Sequence, residues 1–255
     1  MTDARTATVT AFVLRHHLVG EADKLLVLLT REDGLRRVMA KGLRKANSRI
    51  GGRLEAFREA TIQLARGRNM DVVTQVDSLR RFPAIATDYD ALAAGMAANE
   101  ALLAFLEDGD PHPEAYDLYA GLLAALGPGA DSGLLLTAFE LKLMGVLGYR
   151  PDLDHCVACD RALAGPEDAA GLHVEQGGAV CVHCEGLTSG RVRRLTGLAW
   201  QLLRAMQQAP YDAIAALAAP APVVANGRHA LREYLAFRAE RELKAQGMFD
   251  WQPTP

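Results

Sequence analysis

Four cysteines carry the clearest chemistry in this chain. Cys156 and Cys159 form one C-x2-C pair, Cys181 and Cys184 form a second, and 21 residues separate the pairs. Two thiolates two residues apart can grip one ion from a tight turn. Two such turns complete the tetrahedron that a structural Zn²⁺ prefers. The spacing lies just beyond the usual template of about 15–20 intervening residues. A catalytic zinc keeps one position open for water, and four cysteines would close it. The expectation is therefore structural Zn²⁺ and a lobe whose folding depends on metal. His155, His173 and His183 could each replace a cysteine, but are expected at the surface or just outside the ligand shell. An iron–sulfur cluster would also use four cysteines, although paired knuckles favour zinc. A thioredoxin-like motif needs one C-x-x-C in a βαβ setting, which is missing. Disulfide frameworks staple small secreted domains, and no secretory signal is expected from "MTDARTATVT".

The second feature is charge. Between positions 36 and 58 stand Arg36, Arg37, Lys41, Arg44, Lys45, Arg49, Arg53 and Arg58, with Glu55 the only acid. Residues 1–81 hold 16 Lys or Arg against 9 Asp or Glu, while the whole chain carries a net charge of -3. A basic segment in an acidic chain points to an anionic partner. The alternative is an ordinary solvated face. If 34–42 is a strand, Arg37 and Lys41 project from one face beside Met39. The polar stretch "LRKANSRIGG" then holds Arg44, Lys45 and Arg49, and Arg66 and Arg68 flank the next turn. Such a surface tracks a phosphate backbone. Only Phe12 and Phe57 are nearby aromatics, which argues for backbone contact rather than base readout. No Walker-type loop, paired carboxylates or Ser/His/Asp arrangement suggests catalysis.

The elements that must position these residues fall into three regions. Residues 7–14, 23–30, 34–42, 60–66 and 71–76 are rich in β-branched residues, several with period-two alternation, and turn signals separate them. Five short strands fit a small barrel of OB type; an SH3-like barrel satisfies the pattern nearly as well. Helical periodicity begins near Thr87, with Asp88 as N-cap and Leu92, Met96, Leu103 and Leu106 on one face. Further helices are expected over about 114–126, from Ser132 to Leu147, and over about 195–209 and 227–246. The one from Ser132 is apolar nearly all round, so it should be buried. At 255 residues the chain is long enough to bury a real core. No stretch approaches a membrane span. A cytoplasmic protein with no membrane partner is expected.

The stretch "GEADKLLVLLTREDGLRRVMAKGLRKANSRIGGRLEAF" resembles the N-terminal signature of the RecO family of bacterial DNA repair proteins. "FELKLMGVLGYRPDLDHCVAC" resembles that family's central helix running into its zinc knuckle. The order of parts matches over nearly the whole chain. The resemblance implies an α+β protein: an OB-fold over 1–80, a helical domain over 81–151 and 188–248, a zinc-finger-like insert over 152–187 and a tail over 249–255. It implies binding of single- and double-stranded DNA and annealing of complementary strands coated with single-stranded-DNA-binding protein, SSB. It further implies cooperation with RecR in loading RecA, and no enzymatic activity. Localisation would be cytoplasmic, with the nucleoid. Arg36, Arg37, Lys41, Arg44, Lys45, Arg49 and Arg53 stand in the matching motif as DNA-binding residues. The family also binds the acidic, apolar tail of SSB through its helical part. Lys142 and Arg150, the cations on or beside the central helix, are the candidates for that role. Two other classes remain open. One is a zinc-ribbon nucleic-acid adaptor. The other is a zinc hydrolase or deaminase, but the latter would need the H-x-E and P-C-x-x-C that this sequence lacks.

Overall fold

The structure is a computed structural model that describes residues 6–43 and 51–245. It divides into two compact units, one of residues 1–86 and 102–117, the other of residues 87–101 and 118–255.

In the first unit, five strands close a barrel: β1 (Thr6–Val19), β2 (Asp23–Thr30), β3 (Gly34–Ala40), β4 (Arg58–Ala65) and β5 (Val72–Arg81). The order around it is β1-β2-β3-β5-β4. Neighbours are antiparallel except β3 and β5, which run parallel and pair at Met39 and Val72. Five strands in this closed, crossed-over order make an OB-type barrel and set aside the SH3-like alternative. Alternation builds the core: Val9, Ala11, Val13, Leu26, Leu28, Val38, Ala40, Ile62 and Leu64 point inward and are buried.

Part of the outer surface is buried too. Phe12 packs its ring 5.0 Å from Tyr116 and 6.3 Å from Phe82. The Tyr116 hydroxyl donates to buried Glu59 at 2.7 Å, and Arg80 pairs with the same carboxylate. Gly34 adopts φ +65°, and a Cβ there would lie 1.9 Å from the Asp110 carbonyl oxygen. Only glycine fits both the turn and that close approach.

The second unit is built around α4 (Ser132–Val146), in which eleven of fifteen residues are buried, as its all-round apolar pattern required. Asp131 caps it by accepting from the Leu134 N–H at 2.9 Å. Helices α5 (Gly197–Met206), α6 (Tyr211–Ala215) and α7 (Ala221–Arg238) pack against it. A short helix α1 (Pro83–Thr87) precedes α2 (Tyr89–Phe105), and α3 (Pro113–Ala125) follows; α2 and α3 contribute residues to both units. Asp88 caps α2 as its position predicted, accepting from the Ala91 N–H at 2.9 Å.

Three expectations are corrected here. The buried face of α2 is Ala91, Ala94, Ala97, Ala98 and Ala101, while Met96 is 44 % exposed. Small residues let neighbours approach the helix closely; of its larger side chains Leu102 is buried, Leu92 and Leu103 are half-buried and Met96 faces outward. Helix α7 spans Ala221–Arg238 rather than 227–246. Prolines at its first turn fit the helix, and Gly227 sits inside it because a Cβ would press within 3.2 Å of Leu203. The cysteine-rich region holds a three-stranded sheet in the order β7-β6-β8, with β6 (Ala169–His173), β7 (Gly178–Cys181) and β8 (Val192–Arg194). Strand β8 lies beyond residue 187. The outer edge of β7 is covered by the segment before and around the first knuckle. Ala179 N–H donates to the Asp152 carbonyl at 2.7 Å, and Val157 N–H to the Ala179 carbonyl at 2.9 Å.

Candidate metal centre, basic rim and helical cleft

The four cysteine Sγ atoms lie within 4.8 Å of one another. Four thiolates at about 2.3 Å from a tetrahedral ion stand about 3.8 Å apart, and Cys159 Sγ and Cys181 Sγ are 3.8 Å apart. Each pair sits on a tight turn. Cys159 N–H and Asp160 N–H donate to the Cys156 carbonyl at 3.3 and 2.8 Å; Cys184 N–H and Glu185 N–H donate to the Cys181 carbonyl at 3.0 and 3.1 Å. Burial opposes ionisation of Cys156, but hydrogen bonds from the N–H groups of Cys181, Ala158 and Cys159 outweigh it and bring the thiol down to about 7. Hydrogen bonding with Cys159 and Cys181 pushes Cys184 up to about 12. Thiols this close share protons because they cannot all ionise side by side, and a cation relieves that repulsion. The donor set, spacing and knuckle geometry are compatible with zinc.

The histidines stand outside this set. His155 and His183 are exposed, beside Asp152 and Arg161. His173, expected near the surface, is 2 % exposed instead, with Nε2 2.8 Å from the Ser189 carbonyl and Nδ1 3.3 Å from Glu175. The lobe is tied to α7 by Arg238, which donates to the Glu175 carbonyl at 3.2 Å and lies over the rings of Tyr149, Tyr234 and Phe237.

The barrel sorts the predicted basic residues into two groups. Arg36 is half-buried and its guanidinium is taken by Asp33, at 2.8 Å, and by Asp71. Arg37 points outward with Met39, but pairs with Asp108 at 2.7 Å. Arg53 donates to the Val76 carbonyl at 2.9 Å. Lys41 lies in the turn beyond β3 rather than within the strand, and is exposed. Arg66 and Arg68 are exposed in the β4–β5 turn. Among the described residues, Lys41 and Arg68 have no ion-pair partner. Arg44, Lys45 and Arg49 lie outside the described residues.

Register gathers the exposed group. Lys24 pairs across from Ala40, next to Lys41, and Met39 pairs with Val72, next to the turn bearing Arg66 and Arg68. Lys24 was not singled out from sequence, because an isolated lysine at a strand start carries no signal until the pairing is known. Burial first, and then Lys24 and His17, hold the His16 imidazole below its ordinary pKa, so it stays neutral beside this rim.

In the helical unit, Lys142 and Arg150 line one cleft of about 380 Å³ with Leu118, Leu141, Val146 and Gln207. Burial lowers the pKa of Lys142, whose Nζ lies 6.0 Å from the centre of the Tyr211 ring. Arg150 donates to Gln207 Oε1 from Nη2 at 3.0 Å and from Nε at 3.3 Å. A second cleft, about 420 Å³, shares Arg150 and Gln207 and adds Gln201, Arg204 and Gln208. An apolar floor with cations at its rim suits an extended segment carrying both apolar and acidic side chains.

Comparison with known proteins places both halves. Residues 1–82 match the family model described as "Recombination protein O N terminal", and residues 86–247 match "Recombination protein O C terminal". A protein described as "DNA repair protein RecO", from Roseiflexus sp. (strain RS-1), is 35% identical over 240 residues, covering 94% of this chain and 83% of that relative. Among the described residues, no helix is long and apolar enough to cross a membrane.

Proposed function

Because this chain belongs to the RecO family of DNA repair and recombination mediators, we propose that its barrel binds single- and double-stranded DNA through the phosphate backbone and anneals complementary strands coated with SSB. The observation that carries the reading is the rim of Lys24, Lys41, Arg66 and Arg68 along one end of an OB-type barrel. Two DNA strands repel each other. A cationic rim that neutralises both holds them close and raises the local concentration of one for the other. Arg36, Arg37 and Arg53 lie beside this surface; their internal partners give them a bracing role as well as a charge.

Lys142 and Arg150 are the proposed contacts for the acidic, apolar tail of SSB, with the apolar floor taking its side chains and Arg150 its carboxylates. That contact would deliver the protein to SSB-coated DNA. Cys156, Cys159, Cys181 and Cys184 would hold a structural Zn²⁺, which supplies a fixed crosslink between the two knuckles rather than reactivity. Handing the strand to RecA together with RecR is the corresponding role in recombination, and no catalytic step is assigned to the chain.

The test is the annealing rate of two complementary oligonucleotides, each pre-coated with SSB, with and without the protein. Acceleration that fades as salt rises is expected. No acceleration by folded, metal-loaded protein would overturn the proposal and favour an adaptor whose zinc lobe is the binding module.

A further inference from the structure

Oligonucleotides commonly lie against the outer face of the second and third strands of an OB-type barrel. In this chain the middle of that face is taken. Phe12, Leu29 and Leu35 form a row across the outside of β1, β2 and β3, and all three are buried. Residues 102–117, which belong to the same unit, lie over it. Tyr116 packs on Phe12, the Gly109 N–H donates to the Leu35 carbonyl at 2.9 Å, and Asp108 pairs with Arg37 in the next row. A DNA strand would have to displace this cover to reach the middle of β2 and β3.

The outer face of β1, β4 and β5 is open. Residues directly opposite in paired strands share a face. Register therefore builds two rows there: Thr8, Gln63 and Gln75, then Thr10, Thr61 and Asp77. Thr8, Gln63, Gln75 and Asp77 are exposed, and Thr10 and Thr61 are half-buried. The rows present hydroxyls and amides. Asp77 is their one charge, and Gln75 Nε2 donates to it at 2.9 Å. Among the described residues, the hydroxyls of Thr8 and Thr61 and the amide of Gln63 have no hydrogen-bond partner within the protein. The rows carry no aromatic ring on which a base could stack. At one end of this face β4 runs into the turn of Arg66 and Arg68, part of the cationic rim.

We propose that this face is the track of a single DNA strand. The strand meets the barrel at Arg66 and Arg68 and continues over β1, β4 and β5. Its phosphate oxygens accept from Thr8, Thr61 and Gln63, and its bases face solvent. Uncharged hydroxyl and amide donors position a backbone without reading its sequence. With no ring to hold them, the bases stay available to a complementary strand, which is what annealing requires. The proposal rests on the DNA-binding reading of the barrel and deepens it: the rim supplies charge, and this face supplies the path.

The experiment measures binding of a fluorescent single strand, and of an abasic strand of the same length, by the full-length, metal-loaded protein across a salt series. Thr8→Ala/Gln63→Ala should weaken single-strand binding about tenfold, because two hydrogen bonds to phosphate are lost. The slope of log affinity against log salt should not change, because no cation is removed. Asp77→Asn takes a negative charge off the track and should strengthen binding about twofold. Pro111→Glu, at an exposed position in the segment over β2 and β3, should stay within about twofold of wild type. The abasic strand should bind within about threefold of the normal one, as backbone contact predicts. A Thr8→Ala/Gln63→Ala protein that binds like wild type would overturn the track. So would a larger loss in Pro111→Glu than in that double variant, which would place the strand over β2 and β3. Failure of the abasic strand to bind would overturn the outward-facing bases. A wild-type protein that binds no DNA would overturn the reading of the barrel itself, and the track with it.

Discussion

Gln207 holds Arg150 and the backbone beside it at once. Its Oε1 accepts from the Arg150 guanidinium at 3.0 Å, while its Nε2 donates to the Pro151 carbonyl at 2.8 Å. One amide thus orients the cation at the cleft rim and pins the chain that leads to the first cysteine knuckle. Arg150→Glu should weaken binding of an acidic, apolar-tailed peptide by about tenfold, the scale of a charge-assisted hydrogen bond. Gln207→Ala should weaken it by about threefold, through a less ordered arginine. Titration calorimetry decides the matter; equal affinity in all three proteins would remove the cleft from consideration.

Lys41 and Arg36 should respond oppositely to substitution. Lys41 is exposed and Arg36 is clamped between Asp33 and Asp71. Lys41→Glu should weaken DNA binding and reduce the slope of log affinity against log salt by about one for each phosphate it no longer neutralises, with an unchanged melting temperature. Adding Arg44→Glu and Lys45→Glu should abolish annealing with the fold intact. Arg36→Ala should instead destabilise the barrel by about 1–3 kcal/mol, because it leaves two half-buried carboxylates without their partner. A salt series and a thermal melt separate the two effects.

Metal content should set the stability of the cysteine lobe. One zinc per chain is expected on thiol-reagent release, and chelation should produce a new unfolding transition at lower temperature. Cys156→Ser should reproduce that transition without chelator. Identical melting curves with and without metal would mean the four thiols hold nothing.

Acid should loosen the lobe through Glu175. Hydrogen bonds from the Arg191 side chain and backbone hold its carboxyl at about 2, against an ordinary value of 4.5. A depressed carboxyl pKa contributes stability that is present above 4.5 and lost as pH falls toward 2. The stability gap between wild type and Glu175→Gln should therefore be constant at neutral pH and close across that window. A gap that persists at pH 2 would assign the effect to packing.

The barrel was legible because its strands alternate apolar and polar residues and its turns carry glycine. The clustering of the four cysteines was legible because knuckle spacing is a local signal. What escaped was set by pairing at a distance. The carboxylates that occupy Arg36 and Arg37 are Asp71 and Asp108, far along the chain, so those cations looked as free as Lys41. Strand β1 read as ending at residue 14 because Arg15, His16 and His17 break its apolar run, and only β2 carries it on to Val19. The sheet β7-β6-β8 was invisible because strands of three to five residues have no period to detect, and α2 hid its packing face because alanines look neutral.

The fold also treats its sheet edges in two ways. The barrel closes on itself and offers none. The small sheet has two. Strand β8 is partly covered by α7, where Glu233 pairs with Arg193 and the Asn226 side chain donates to the Arg194 carbonyl at 3.0 Å. Strand β7 is shielded by the segment of Asp152 and Val157, which runs into the first cysteine knuckle and is also held by Gln207, Trp200 and Arg204. If the knuckles hold the proposed zinc, its loss should loosen the Val157 end of that cover, and demetallated protein should self-associate on storage by β-pairing. Chelators and thiol oxidants then become solubility hazards for preparations of this protein.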